Sequence, residues 1–377
     1  MRPTLTVLVT TIALLLGVGV ILVATAGGVR AANLFGNPHH FLIRQLIWLA
    51  IAVGIGCAAS WFDYHWWRDH KSLTIALFAL VVLALFLVIC PGIRHKINGS
   101  YRWLSLGPLS VQPGEFAKIA TVIAMSVWLS RIGWRVRLFM KGTLFPILGL
   151  GVLLGLLYLE PDYGTMMIVG VIGGALMFVA GTRLVYLIPF GLLGSALLCI
   201  KLIFFSKNRS GRIGEWLEGT SHQVNQSLLA FQNGGLWGVG FTQSTQKHAY
   251  LPEAHTDFIF SIGGEEFGFL FSVGVVAAFM VILWCGIRIS MRAPDSLGRL
   301  LAFGMTFLLV FQGAWNIAVV TGVVPTKGLA LPFLSYGGTS LVTAMLAIGT
   351  LINIGRNAEV CEENTYAQAV KNAPVPL

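Results

Sequence analysis

The chain has 377 residues, of which 56% are hydrophobic and 11% charged, and its mean hydropathy is +0.80. A water-soluble domain carries roughly 25% charged residues, which excludes water as the solvent for most of this chain. The formal charge is +10, yet no run of five or more basic residues occurs. That pattern argues against a nucleic-acid partner and for loops anchored at anionic headgroups.

Apolar runs long enough to cross a hydrocarbon core about 30 Å thick recur from end to end. Lipid offers the backbone no hydrogen-bond partners, so these runs must be helices. The expected spans are 5–26, 42–61, 73–90, 116–130, 143–159, 165–181, 184–205, 258–287, 299–323 and 334–354. The fold class is therefore an all-α polytopic membrane protein with both termini on one side. The first run follows Arg2 and exceeds a usual signal-peptide core, so it reads as a retained span. Residues 1–355 form one transmembrane domain, with a large extracytoplasmic loop at about 206–257 between the seventh and eighth helices. Residues 356–377 form a short polar tail.

With the termini cytoplasmic, thirteen of the 25 Lys and Arg residues fall on the inner side, among them Arg68, Arg131, Arg135, Arg137, Lys141 and Arg183. Five of the other twelve belong to the long connection or its approach, which leaves thirteen against seven and favours termini inside. The outer cations, including Arg94, Lys96, Arg102, Lys118 and Lys327, fit two readings. They snorkel to headgroups, or they form a basic surface for a phosphorylated lipid.

Charge inside or beside a span is costly unless it works, and four polar stretches stand out on the outer side. The first, residues 98–118, carries Arg102, Glu115 and Lys118; the last two are three apart on one helix face and can pair. The second is the turn Glu160-Pro161-Asp162. The third crowds Glu253, His255 and Asp257 at the mouth of the eighth span, with Glu265 and Glu266 inside it. The fourth, 325–340, is broken by proline and glycine and contains Ser335; broken backbone at membrane depth lines a cavity or a protein interior. Asp257 fits an N-cap, a catalytic base, or both. Glu265 and Glu266 require a cation or the protein interior. His255 and the five cysteines lack metal-ligand spacing, and no nucleotide-binding loop or serine-hydrolase elbow occurs.

Arg102-Trp103 with Gln112-Pro113, Glu115 and Lys118; Pro161-Asp162 with Gly164-Thr165; Tyr250 to Phe260 with Gly264 to Gly268; and Pro332 with Ser335 to Gly338 follow one another in order. Together they resemble the SEDS family of peptidoglycan glycosyltransferases over residues 95–356, and the Glu253-Ala-His version is closer to its division branch than to its elongation branch. Gly114, Tyr163 and Gln232 depart from the family's common residues without removing a charge. The resemblance implies lipid II as substrate and an inverting β-1,4 transglycosylation, with Asp257 as general base. Arg102, Lys118, Arg209, Arg212 and Lys247 would hold pyrophosphate, Glu115 would orient Lys118, and Asp162, Glu253, His255 and Ser335 would complete the substrate-binding set. No cofactor is required, although Mg or Mn is compatible with pyrophosphate chemistry. The implied partners are a class B penicillin-binding protein and other division or elongation proteins, at the bacterial inner membrane with the site facing the periplasm. A lipid II flippase and a recruiting scaffold are the alternatives.

Overall fold

The structure, a computed structural model, describes residues 1–90, 95–97, 100–106, 109–204, 211, 214–247 and 251–372. Helices α1 (Arg2–Phe35), α2 (His40–Trp61) and α3 (Lys71–Ile89) come first, with a single helical turn at Trp66–Asp69. Strands β1 (His95–Ile97), β2 (Ser100–Leu106) and β3 (Leu109–Val111) follow, then α4 (Pro113–Ile132), α5 (Phe145–Leu159), α6 (Tyr163–Val179) and α7 (Leu184–Phe204). The chain continues through α8 (His222–Gly234), α9 (Ile259–Arg292), α10 (Ser296–Val320) and α11 (Gly338–Asn372). Each expected span falls on a helix. Among the described residues, eight helices are long and apolar enough to cross a membrane, and Tyr163–Val179 and Leu184–Leu197 are shorter apolar helices.

Helices α4, α10 and α11 are the most enclosed, whereas α3 presents most of its surface outward. Apolar side chains of α1, α4, α6, α9, α10 and α11 interlock in one large cluster. With no hydrophobic drive between helices in lipid, close packing and buried polar bonds hold such a bundle together.

Four features depart from the expected pattern. The stretch before α4 is a small antiparallel sheet in the order β1-β2-β3, with Lys96 opposite Tyr101 and Leu104 opposite Val111. The long connection contains α8, which packs against α9. The tail is helical, since α11 continues to Asn372, and Arg2 pairs with Glu359 along it. Finally, α9 is two helical pieces that meet at Gly268, where φ is 80° and ψ is −171°. Only glycine adopts that backbone readily. The residues after α8 fill the break: Val239 N donates to Glu265 O at 3.0 Å, Gly240 N to Glu266 O at 3.1 Å, and Phe269 N to Gly235 O at 2.9 Å. A broken helix survives here because neighbouring backbone takes up its freed groups.

Candidate functional site

Two irregular runs face each other at one end of the bundle: 251–258, ahead of α9, and 325–337, ahead of α11. Tyr336 N donates to His255 O at 3.0 Å. The Ser335 hydroxyl donates to Thr256 O at 2.6 Å and accepts from Leu331 N at 2.8 Å. From α10, the Asn316 amide donates to both Asp257 O, at 2.8 Å, and Leu329 O, at 2.6 Å. These bonds fix the main chain on both sides of Asp257. Ser335 thus clamps the two runs together: its one proton is committed to Thr256 O, and one of its two lone pairs to Leu331 N.

Asp257 itself is half-buried. It is not the N-cap: that position belongs to Phe258, whose carbonyl accepts from Ser261 N and Ile262 N. Its carboxylate lies against Gly328, where an added Cβ would stand 2.5 Å from Oδ2. Gly328→Ala should therefore push the carboxylate aside rather than unfold the chain, since the clashing atoms end a short side chain. Displacing a reacting group by a fraction of an ångström costs activity on the order of tenfold. An unchanged rate at wild-type thermal stability would show that carboxylate placement is unimportant.

Glu253 holds the strained corner of this loop, with φ of 56°, a conformation uncommon outside glycine. Arg30, from the last turns of α1, pairs with its Oε1 at 2.8 Å, and the Thr256 hydroxyl donates to Oε2 at 3.2 Å. His255 is buried, stacked on Phe41 at 4.5 Å and beside Tyr336 at 5.6 Å. Burial lowers its pKa from 6.5 to about 4; Glu253 opposes the shift and Arg30 adds to it. The folded state resists the proton that the unfolded chain accepts. Stability from this group is therefore complete above pH 6.5 and is lost as the pH falls toward 4. His255→Phe keeps the ring stack, and its thermal midpoint should fall less between pH 7 and pH 5 than that of the wild type. Parallel slopes would contradict the neutral histidine.

A second cluster joins β2 to the turn before α6. Arg102 Nη1 lies 3.4 Å from Asp162 Oδ1, and its Nη2 donates to Pro161 O at 2.6 Å. Thr165 and Gln112 donate to Asp162 Oδ2 at 2.7 and 3.3 Å. Burial works to raise the pKa of Asp162, but Arg102 and Lys327, with Thr165, hold it below the usual range. Glu160 goes the other way. Burial and the Asp162 charge push it up to about 8 against Arg102, so it is mostly protonated at neutral pH.

Lys118 and Lys247 are not displayed as an open cationic surface. Lys118 is 1% exposed, paired with Glu115 Oε2 at 2.7 Å and bonded to Gln312 Oε1 at 2.6 Å. The Gln312 amide in turn donates to Ala330 O at 2.8 Å, which ties the buried pair to the run beside Asp257. Lys247 pairs with Glu266 at 2.8 Å and donates to Thr242 O at 2.6 Å. Glu265 accepts from Ser244, Thr245, Gln246 and Asn233. A cation bonded inward in this way braces the fold. Arg209 and Arg212 lie outside the described residues. Among the described residues, no three His, Cys, Asp or Glu side chains gather to hold a metal ion.

The structure thus joins Glu253, His255, Asp257 and Ser335 in one clamp, and Arg102 with Asp162 in a neighbouring one. Arg30, Gln312 and Asn316 join these clamps only in the folded chain. For the last two a signal existed: two amides four residues apart on one face of an otherwise apolar span.

The sequence profile of the FtsW, RodA and SpoVE family, described as cell cycle proteins, matches residues 6–360. A protein of Trichlorobacter lovleyi named "Probable peptidoglycan glycosyltransferase FtsW" is 38% identical over 342 residues, 89% of each chain. "Stage V sporulation protein E" of Bacillus subtilis is 38% identical over 354 residues, 91% of this chain and 94% of that one. Among solved structures, a chain of a peptidoglycan synthase complex that coordinates polymerization and crosslinking superposes with a TM-score of 0.75 at 25% identity, covering 93% of this chain and 97% of that one. The rod shape determining protein RodA of Thermus thermophilus does so at 0.69 and 26%, covering 93% and 96%. This chain belongs to the FtsW, RodA and SpoVE family of cell cycle proteins.

Proposed function

We propose that the protein is a peptidoglycan glycosyltransferase that polymerises lipid II into glycan strands by inverting β-1,4 transglycosylation, with a septal role. The observation that carries this reading is Asp257: a half-buried carboxylate whose main chain is fixed by Asn316 and whose neighbours are bonded across two loops. In this reading it accepts the proton of the acceptor sugar's 4-hydroxyl. A pyrophosphate leaving group departs without a general acid, so one base and nearby cations suffice. Of the described cations, Arg102 remains partly open while it steadies Asp162, and it is our candidate for meeting the departing charge, together with Arg209 and Arg212. Lys118 and Lys247 act as positioning residues. A divalent cation bridging the acidic loop to pyrophosphate is compatible with the reading, and no step requires one.

The balance of loop cations supports an inner-membrane orientation with Asp257 facing the periplasm. The FtsW-named relatives support a division role, and the synthase-complex neighbour supports a transpeptidase partner of the class B penicillin-binding type. The test is a polymerisation assay with purified full-length protein, with and without that partner, on lipid II in detergent or vesicles. Glycan polymer that requires Asp257 supports the enzyme. Lipid scrambling without polymer favours a transporter instead.

A further inference from the structure

The end of the bundle away from Asp257 carries a different feature. Helix α4 starts at Pro113, whose preceding Gln112 bonds to Asp162 and Thr339. It rises about 30 Å at 1.5 Å per residue, so Ile132 stands at the opposite membrane face. There the chain folds back through a 3₁₀ turn, Gly133–Arg137, and a π-helical turn, Phe139–Leu144, before α5. Trp128 donates to Lys141 O at 3.0 Å, and Thr182 to Gly142 O at 3.3 Å. This doubled-back turn and the α6–α7 corner border a half-open cavity of about 700 Å³ whose walls include Trp134, Arg137, Phe139, Arg183 and Tyr186.

Charge at this cavity is unbalanced. Residues 116–159 and 163–214 contain no Asp or Glu. Of the described acids on the same face, Asp295 takes Arg68 and the Tyr64 hydroxyl, Asp69 also lies beside Arg68, Asp63 takes His65, and Glu359 takes Arg2. Arg137 and Arg183 form no ion pair among the described residues. The rim is not that of a site for a soluble ligand. Trp134 and Leu138 in the cavity wall, with Met140 and Val185 next to wall residues along the chain, are exposed apolar side chains at the helix ends, the depth at which aromatic belts meet headgroups.

We propose that this cavity binds the phosphate headgroup of an anionic phospholipid from the leaflet on that face, Arg137 and Arg183 receiving the phosphate while Trp134 and its apolar neighbours lie along the acyl chains. Guanidinium groups suit phosphate oxygens by geometry and charge, and basic pockets at this depth between helices attract such headgroups. An acidic peptide would satisfy the arginines but would leave the exposed apolar rim without a partner.

The test places full-length protein in nanodiscs of equimolar phosphatidylcholine and phosphatidylglycerol. Brominated chains on one lipid or the other then quench tryptophan, and Trp134→Phe isolates that residue's signal. Wild type should show stronger quenching of Trp134 by brominated phosphatidylglycerol than by brominated phosphatidylcholine. Arg137→Gln with Arg183→Gln should lower the apparent preference on the order of tenfold, and Arg137→Lys with Arg183→Lys should retain much of it. Equal quenching by the two lipids in wild type would overturn the proposal, as would an unaltered preference in the glutamine variant at wild-type thermal stability. Preference abolished by inorganic phosphate, or by a soluble acidic peptide at equal charge, would reassign the cavity to a soluble ligand.

Discussion

Asp257→Asn should abolish glycan polymerisation while leaving the protein folded and able to bind its partner. The amide nearly matches the carboxylate in size and leaves the Asn316 bond to the Asp257 carbonyl in place, so the two loops should keep their clamp. What it removes is the capacity to take a proton. General-base catalysis contributes about 10²- to 10⁴-fold, and the loss should approach the upper end. Glu253 cannot substitute readily because Arg30 holds it at 2.8 Å. Thermal midpoint and lipid II binding should match the wild type while turnover disappears. Substantial turnover in this variant would end the assignment of the base.

Lys118→Met should produce the largest effect on stability. It leaves Glu115 buried without its cation 2.7 Å away and removes the donor to Gln312. Breaking a buried pair by removing one partner costs about 3–5 kcal/mol, whereas replacing both members with apolar or neutral groups is often close to neutral. The single variant should therefore melt well below wild type, and Glu115→Gln with Lys118→Met should recover most of the loss. Activity in the double variant tests a further point. Gln312 also holds Ala330 O in the run beside Asp257, so a stable but sluggish enzyme identifies the pair as positioning residues. A single variant as stable as wild type would show that Glu115 reaches water or another cation.

Both effects depend on features with unequal visibility in the sequence. The Glu115–Lys118 pair followed from three-residue spacing on a helix that enters lipid, and its burial agrees with the cost of charge there. The residue pattern implies a cation or the protein interior for Glu266 but does not name the partner, since Lys247 precedes it by nineteen residues and loop geometry alone brings them together. A far larger separation hides Arg30 from Glu253, 223 residues later. For the small sheet before α4 the sequence carries one local signal, Asn98-Gly99, a pair favoured in two-residue hairpin loops, between the first two strands.

By itself, the sequence determined the membrane environment and the helical class, because each apolar run must satisfy its own backbone in lipid. It also determined which short stretches concentrate charge on the face of the candidate site. Tertiary structure decided which charges are open and which are spent. Lys118 and Lys247 are spent in interior pairs, Ser335 is a clamp, and α9 breaks at Gly268 because a distant loop supplies hydrogen bonds at that height. Such partners are fixed by three-dimensional packing between segments far apart in the chain, and local residue patterns carry no record of them.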